Sequence, residues 1–194
     1  MAAKGNRVRI IGGQWRGRKI EFPSIDGLRP TTDPVRETLF NWLQPYLPQS
    51  NCLDLYAGSG ALGFEAASRG ARHVLMVEQD SRVVKALRTN KEVMQATNVQ
   101  LMHRPALDAL KAKRKETDSS FDIVFLDPPF NQGELIECVK RLEESGYLSD
   151  DAVIYLECES TLALDFLPKN WLEHRRKKAG QVTYYLYQRE LDGE

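Results

Sequence analysis

With 194 residues, 27 basic against 27 acidic side chains and 42% hydrophobic residues, the chain has the size of one ordinary domain with a modest appendage. No apolar run approaches the roughly 20 residues that cross a bilayer, and the N-terminus lacks the apolar core of a secretory signal, so a cytoplasmic protein with no membrane partner is expected. Cys52, Cys138 and Cys158 are odd in number and far apart, and His73, His103 and His174 are scattered, which points away from a disulfide frame and from a metal site.

The charge is unevenly laid out. Lys4, Arg7, Arg9, Arg16, Arg18 and Lys19 all precede the first acid, Glu21, and a second basic run, Arg175-Arg176-Lys177-Lys178, lies near the C-terminus. Such an arm suits contact with a polyanion, and equally a solvated terminus. Two β-prone stretches, 7–11 and 18–22, flank a glycine-containing segment and predict a hairpin with an irregular tip. Residues 23–32 read as loop. A helix follows, with Asp33 as N-cap, Pro34 at its first position and Pro45 as its stop. Residues 1–32 thus form a basic extension, and 33–194 the main domain.

From residue 51 the pattern becomes regular. Apolar strands are predicted over 52–56, 74–77, 99–102, 123–126 and 153–156, with helices over 61–68, 81–96, 106–115 and 134–144. Short continuous runs of Val, Ile and Leu alternating with helices indicate a doubly wound α/β fold with a mostly parallel sheet. A short helix is expected near 161–166. Residues 172–178 and 182–189, joined by Ala179-Gly180, then predict a closing antiparallel hairpin.

The first strand of this series ends in Asp54-Leu55-Tyr56-Ala57-Gly58-Ser59-Gly60-Ala61-Leu62-Gly63, a G-x-G-x-x-G on a strand–turn–helix transition. Glycine there lets the backbone turn sharply and approach a ligand. An acid closes the next strand, Glu78, and an acceptor-only carboxylate suits both hydroxyls of a ribose. The stretch from Asp54 through Tyr56, Gly58 and Gly60, with Glu78, is therefore the expected site of a nucleoside cofactor. Asp54 beside the turn would repel a dinucleotide pyrophosphate and attract the amino end of a methionine moiety, which favours S-adenosylmethionine. After the third strand, Pro105 stands where an acid often receives the adenine amine, leaving Asp108 or the backbone at Ala106 for that contact.

The fourth strand ends in Asp127-Pro128-Pro129-Phe130 at the carboxyl edge of the sheet, where ligands of open α/β folds bind. An exocyclic amine of a base is a poor nucleophile because its lone pair is delocalised into the ring. The Asp127 carboxylate and the Pro128 carbonyl are placed to accept its N–H hydrogens and free that lone pair, while Phe130 offers a stacking face. An acceptor-only Asp127 matches the adjacent N1–H and N2 donors of guanine better than the alternating edge of adenine.

These motifs resemble class I amino methyltransferases. The flanks narrow the resemblance. The segments from Arg9 through Gly17 to Lys19 and from Leu28 through Pro34 to Asn41, together with Ala179-Gly180-Gln181-Val182, resemble the RsmD family over nearly the whole chain. That resemblance implies a seven-stranded Rossmann-like sheet and an S-adenosylmethionine-dependent enzyme. The implied reaction methylates N2 of a guanine in 16S ribosomal RNA, presented on a protein-bearing small-subunit particle. A monomer without metal is expected. In that role Arg16, Arg18 and Lys19 would grip phosphates, Trp15 would stack on a splayed base or cover the core, and Arg29 and Arg36 would line the cleft. For Arg36, pairing with a nearby acid is the other reading. A DNA adenine or cytosine amine methyltransferase and a non-catalytic RNA-binding module are the competing functions. The first lacks a target-recognition insertion in this sequence, and the second sits poorly with intact Asp54, Glu78 and Asp127.

Overall fold

The computed structural model describes residues 6–111, 119–129 and 132–190. Strands β1 (Asn6–Arg9) and β2 (Lys19–Phe22) pair antiparallel as a hairpin, with a single 3-10 turn, Gly13–Trp15, at the tip. Val8, Ile10, Trp15, Ile20 and Phe22 point inward and join the apolar cluster of the main sheet, so the extension has no core of its own. Helix α1 (Asp33–Leu43) begins one residue earlier than expected: Thr32 occupies the N-cap and makes no side-chain capping bond. The reason is electrostatic, because the Asp33 carboxylate is drawn to Arg36 (2.6 Å) and Arg9 (3.1 Å) instead of to the helix amides.

The main sheet has seven strands: β3 (Asn51–Asp54), β4 (His73–Glu78), β5 (Val99–His103), β6 (Phe121–Leu126), β7 (Leu148–Glu159), β8 (Trp171–Ala179) and β9 (Val182–Arg189). Their order is β5-β4-β3-β6-β7-β9-β8. The first five in that order run parallel, β9 is antiparallel to β7, and β8 is antiparallel to β9. The doubly wound sheet and its antiparallel close are those expected. Winding reverses between β3 and β6, and the crevice outside their carboxyl ends is where such a fold binds ligands.

Helices α2 (Ala61–Ser68), α3 (Ser81–Met94), α4 (Ala106–Ala109) and α5 (Gln132–Glu144) complete the alternation. Strand β6 shows why its sequence is continuously apolar. Ile123 and Phe125 pack into the cluster with α1 and α2, while Val124 and Leu126 pack into the opposite cluster with α5. Both faces are buried, so Phe125→Ala would cost about 3–5 kcal/mol.

Two helical expectations are corrected. The helix expected over 106–115 is α4, which closes at Ala109, and 112–118 lie outside the described residues. Residues 161–166 form turns, not a helix. There Leu162, Leu164 and Phe166 pack on the core at a spacing of two, which a helix cannot present on one face. Among the described residues no helix is long and apolar enough to cross a membrane, and no group of metal-ligating side chains occurs. All three cysteines are buried and free of disulfides.

Candidate active site

The turn after β3 depends on its glycines. Gly60 precedes α2 with φ of 80°, and a Cβ there would lie 2.6 Å from Leu87 and 2.8 Å from Phe64. At Gly63 a Cβ would lie 2.4 Å from Met76 of β4, so only glycine lets α2 start this close to the sheet. Glu78, at the end of β4, binds the turn directly. One carboxylate oxygen accepts from the Gly58 amide (2.9 Å), the other from the amides of Gln79 and Asp80 (2.8 Å each). A carboxylate has about four acceptor sites, so with three amides bound one remains for a ribose hydroxyl. The neighbouring carbonyl of Glu78 accepts from Arg104, which fixes the loop before Ala106 at the head of α4.

Asp54 is buried and accepts from the Gly63 amide (3.0 Å). Burial, reinforced by the Glu78 charge and opposed by the Gly63 and Tyr56 amides, pushes its carboxyl up to about 7. Such a group gains from a cation placed beside it. The Tyr56 hydroxyl is turned towards α5, where it meets Glu134 (3.1 Å) and Cys138 (3.0 Å).

Across the crevice, Asp127 follows the last residue of β6 and accepts from the Thr31 hydroxyl at 3.4 Å. Pro128 is half-buried beside it, and Phe130 lies outside the described residues. Asp127 has a neighbour that the sequence reading missed. Leu126 stands opposite Leu156 on β7, so the next residues, Asp127 and Glu157, emerge side by side. Glu157 also accepts from the Tyr155 hydroxyl (2.5 Å). Burial, then the charges of Glu157 and Asp54, raise the Asp127 carboxyl well above its usual range against the Thr31 hydrogen bond. Burial also raises Glu157, against the Tyr155 hydrogen bond. The signal for Glu157 was present: Leu53-Asp54, Val77-Glu78, Leu126-Asp127 and Leu156-Glu157 are four apolar strands each running into an acid. Among the described residues none of these four acids has an ion-pair partner.

The N-terminal segments divide into two groups. Arg36 was expected to line the cleft, and this is corrected. It is fully buried, donating to the carbonyls of Thr31 (3.2 Å) and Arg9 (2.7 Å), to Asp33 (2.6 Å) and to Glu65 (3.4 Å). Glu65, also fully buried, accepts from the Ile11 and Gly12 amides (2.8 and 2.7 Å) and from Arg69 (2.7 Å). Arg36 thus holds Thr31 in place under Asp127 and ties the hairpin to α2. Trp15 is corrected as well: it is buried in the core with its amide on the Ser68 hydroxyl, so it covers the core instead of meeting a base. Arg16, Arg18, Lys19 and Arg29 are exposed. Arg16 lines a cleft with Arg9, Asp33 and Glu37, and Arg18 donates to the Val93 carbonyl (2.7 Å).

Residues 8–188 match the family described as "Conserved hypothetical protein 95". The ribosomal RNA small subunit methyltransferase D of Escherichia coli is 50% identical over 188 residues, covering 97% of this chain and 93% of that protein. The chain belongs to this RsmD family. The Haemophilus influenzae member is 45% identical, over 96% of this chain and 95% of its own. Among solved structures, yhhF from Escherichia coli superposes with a TM-score of 0.86 at 48% identity, covering 96% of this chain and all of that one. The Thermus thermophilus 16S rRNA N2 methyltransferase RsmC, solved with AdoMet and guanosine, shares the fold. Its TM-score is 0.70 at 24% identity, over 96% of this chain and 50% of that one. The fold of this chain is thus that of class I methyltransferases, as the sequence resemblance implied.

Proposed function

We propose that this chain transfers a methyl group from S-adenosylmethionine to the exocyclic N2 amine of a guanine in small-subunit ribosomal RNA. The observation that carries the reading is the row of acids at the carboxyl edge of the sheet, Asp54, Glu78, Asp127 and Glu157, with no cationic partner among the described residues. An acid-lined crevice suits a cationic cofactor and the donor-rich edge of guanine, and disfavours a pyrophosphate. The residues present fit the cofactor. Glu78, clamped by three amides, would hold a ribose hydroxyl, and Asp54 the amino group. The backbone at Gly58 and Gly60 would lie along the chain between them, with Ala106 beside the adenine. When bound, S-adenosylmethionine would supply an electrophilic methyl group on a sulfonium, whose methyl–sulfur bond would break to leave a neutral thioether.

The protein supplies position and charge. Asp127 and the Pro128 carbonyl accept the N2 hydrogens, and Asp127 takes up one proton as the new N–C bond forms. Glu157 next to it, half-exposed, offers that proton a way to solvent. Thr31, held by Arg36, fixes the Asp127 carboxylate before the base arrives, and such preorganisation is where most of the rate is gained. Arg16, Arg18, Lys19 and Arg29 contact phosphates around the target, on a particle that carries ribosomal proteins. The names of the 45–50% identical relatives support ribosomal RNA as substrate. The test is incubation of the purified protein with S-adenosylmethionine and small-subunit particles from cells lacking its gene, followed by nucleoside mass analysis. N2-methylguanosine is expected. Methyladenosine, or no methylated nucleoside, refutes the reading.

A further inference from the structure

Strand β8 is the outer edge of the main sheet and carries the second basic run of the sequence. Residues 172–181 are all exposed. The strand register fixes where these charges lie. Lys177 stands opposite Tyr184, and Tyr184 opposite Glu157. Lys177 is therefore level with Glu157 and with Asp127 beside it. Three strand spacings of about 4.8 Å put it about 14 Å along the sheet from Asp127. The opposite end of β8, at Trp171, points away from the carboxyl edge.

Cross-strand partners share a face. Tyr184 and Leu186 belong to the cluster that includes α1 and the N-terminal hairpin, so their partners Lys177 and Arg175 emerge on that face. Arg176 and Lys178 emerge on the other. The edge is a ridge that is positive on both sides. Among the described residues only Arg176 has an ion pair here, with exposed Glu173 at 3.4 Å. An exposed pair of this kind leaves its cation available to another anion.

We propose that the β8 edge is a second RNA-backbone contact, with Arg175, Lys177 and Lys178 binding phosphates that flank the nucleotide whose base lies at Asp127. This rests on the ribosomal RNA reading above. The arrangement is complementary: an acidic crevice receives the base, and basic ridges flank it. Charges on an edge strand also deter pairing with another chain, which is the competing explanation.

The test replaces Arg175, Lys177 and Lys178 together by glutamine, with a charge-retaining variant (Arg175→Lys, Lys177→Arg, Lys178→Arg) beside it. Affinity for methyl-deficient small-subunit particles is measured across salt concentrations. The glutamine variant should lose roughly 2 from the slope of log affinity against log salt, at about 0.7 per contact, with cofactor affinity unchanged within twofold. The charge-retaining variant should keep the slope. An unchanged slope in the glutamine variant overturns the inference, and so does self-association of that variant with RNA binding intact. Loss of slope in the charge-retaining variant also overturns it. If the wild-type protein itself neither binds nor methylates the particle, the ribosomal RNA reading has failed, which is a distinct result.

Discussion

On the β3–β4 side of the crevice the binding surface is mostly backbone: a glycine turn whose amide reaches Glu78, with α2 packed so close that Gly63 admits no Cβ. On the β6–β7 side it is mostly side chains brought from distant segments: Thr31 from the extension, Asp127 from β6 and Glu157 from β7. The first side is stiff and suits a cofactor that is the same in every turnover. The second depends on packing elsewhere, and under the proposed function it is there that a particular base would be chosen. Damage to the two sides should therefore separate into lost affinity and lost turnover.

The largest effect tests whether the second side depends on its remote support. Arg36→Ala leaves buried Glu65 with only one of its two guanidinium partners, strips the Thr31 and Arg9 carbonyls of their donor, and should cost about 3–5 kcal/mol of stability, as for other broken buried pairs. Thermal or denaturant unfolding measures it, and a loss below 1 kcal/mol would show that the hairpin is not held this way. Next, Asp127→Ala should lower kcat on the order of 10²–10⁴-fold while cofactor affinity stays within a few-fold; near-normal turnover on RNA would remove Asp127 from the chemistry. Glu78→Ala should do the reverse, weakening cofactor binding by about 1.5–3 kcal/mol, read by calorimetry.

Two pH effects sharpen the contrast. With the free Asp54 carboxyl at about 7, a bound ammonium should favour its ionised form. Cofactor binding should then release protons near pH 7 and weaken as pH falls below it, which calorimetry in buffers of different ionisation enthalpy detects. Glu157→Gln removes a like charge beside Asp127, whose carboxyl should then ionise at lower pH. The acid limb of the kcat profile should move to lower pH; a limb that stays or rises contradicts the pairing.

The same division governed what could be read from the chain. The glycine turn and Glu78 were legible because their partners are close in sequence and their chemistry is local. The strand–helix alternation was legible for the same reason, with α2 matching its expected span. Glu157 could be seen as an acid closing its strand, but its relation to Asp127 exists only once β6 and β7 lie in register. Arg36 read as a cleft arginine or one paired with a nearby acid, because nothing near it announces Glu65, which sits 29 residues away on another helix. Trp15 was ambiguous until Ser68 and the core were seen beneath it.

The tie between the hairpin and α2 also bears on the order of assembly. The backbone of residues 11 and 12 finds its acceptor, Glu65, 53 to 54 residues later in the chain. The N-terminal strands leave the ribosome first, yet their anchor has not been made when they emerge. Glu65, in turn, cannot be buried at low cost until Arg36, Arg69 and those two amides surround it. The hairpin is therefore secured only after residue 69 has been made, and a nascent chain halted before α2 holds it loosely. Removing the extension from the finished protein would have the opposite fault, taking from Glu65 on α2 two of its four donors, the Ile11 and Gly12 amides.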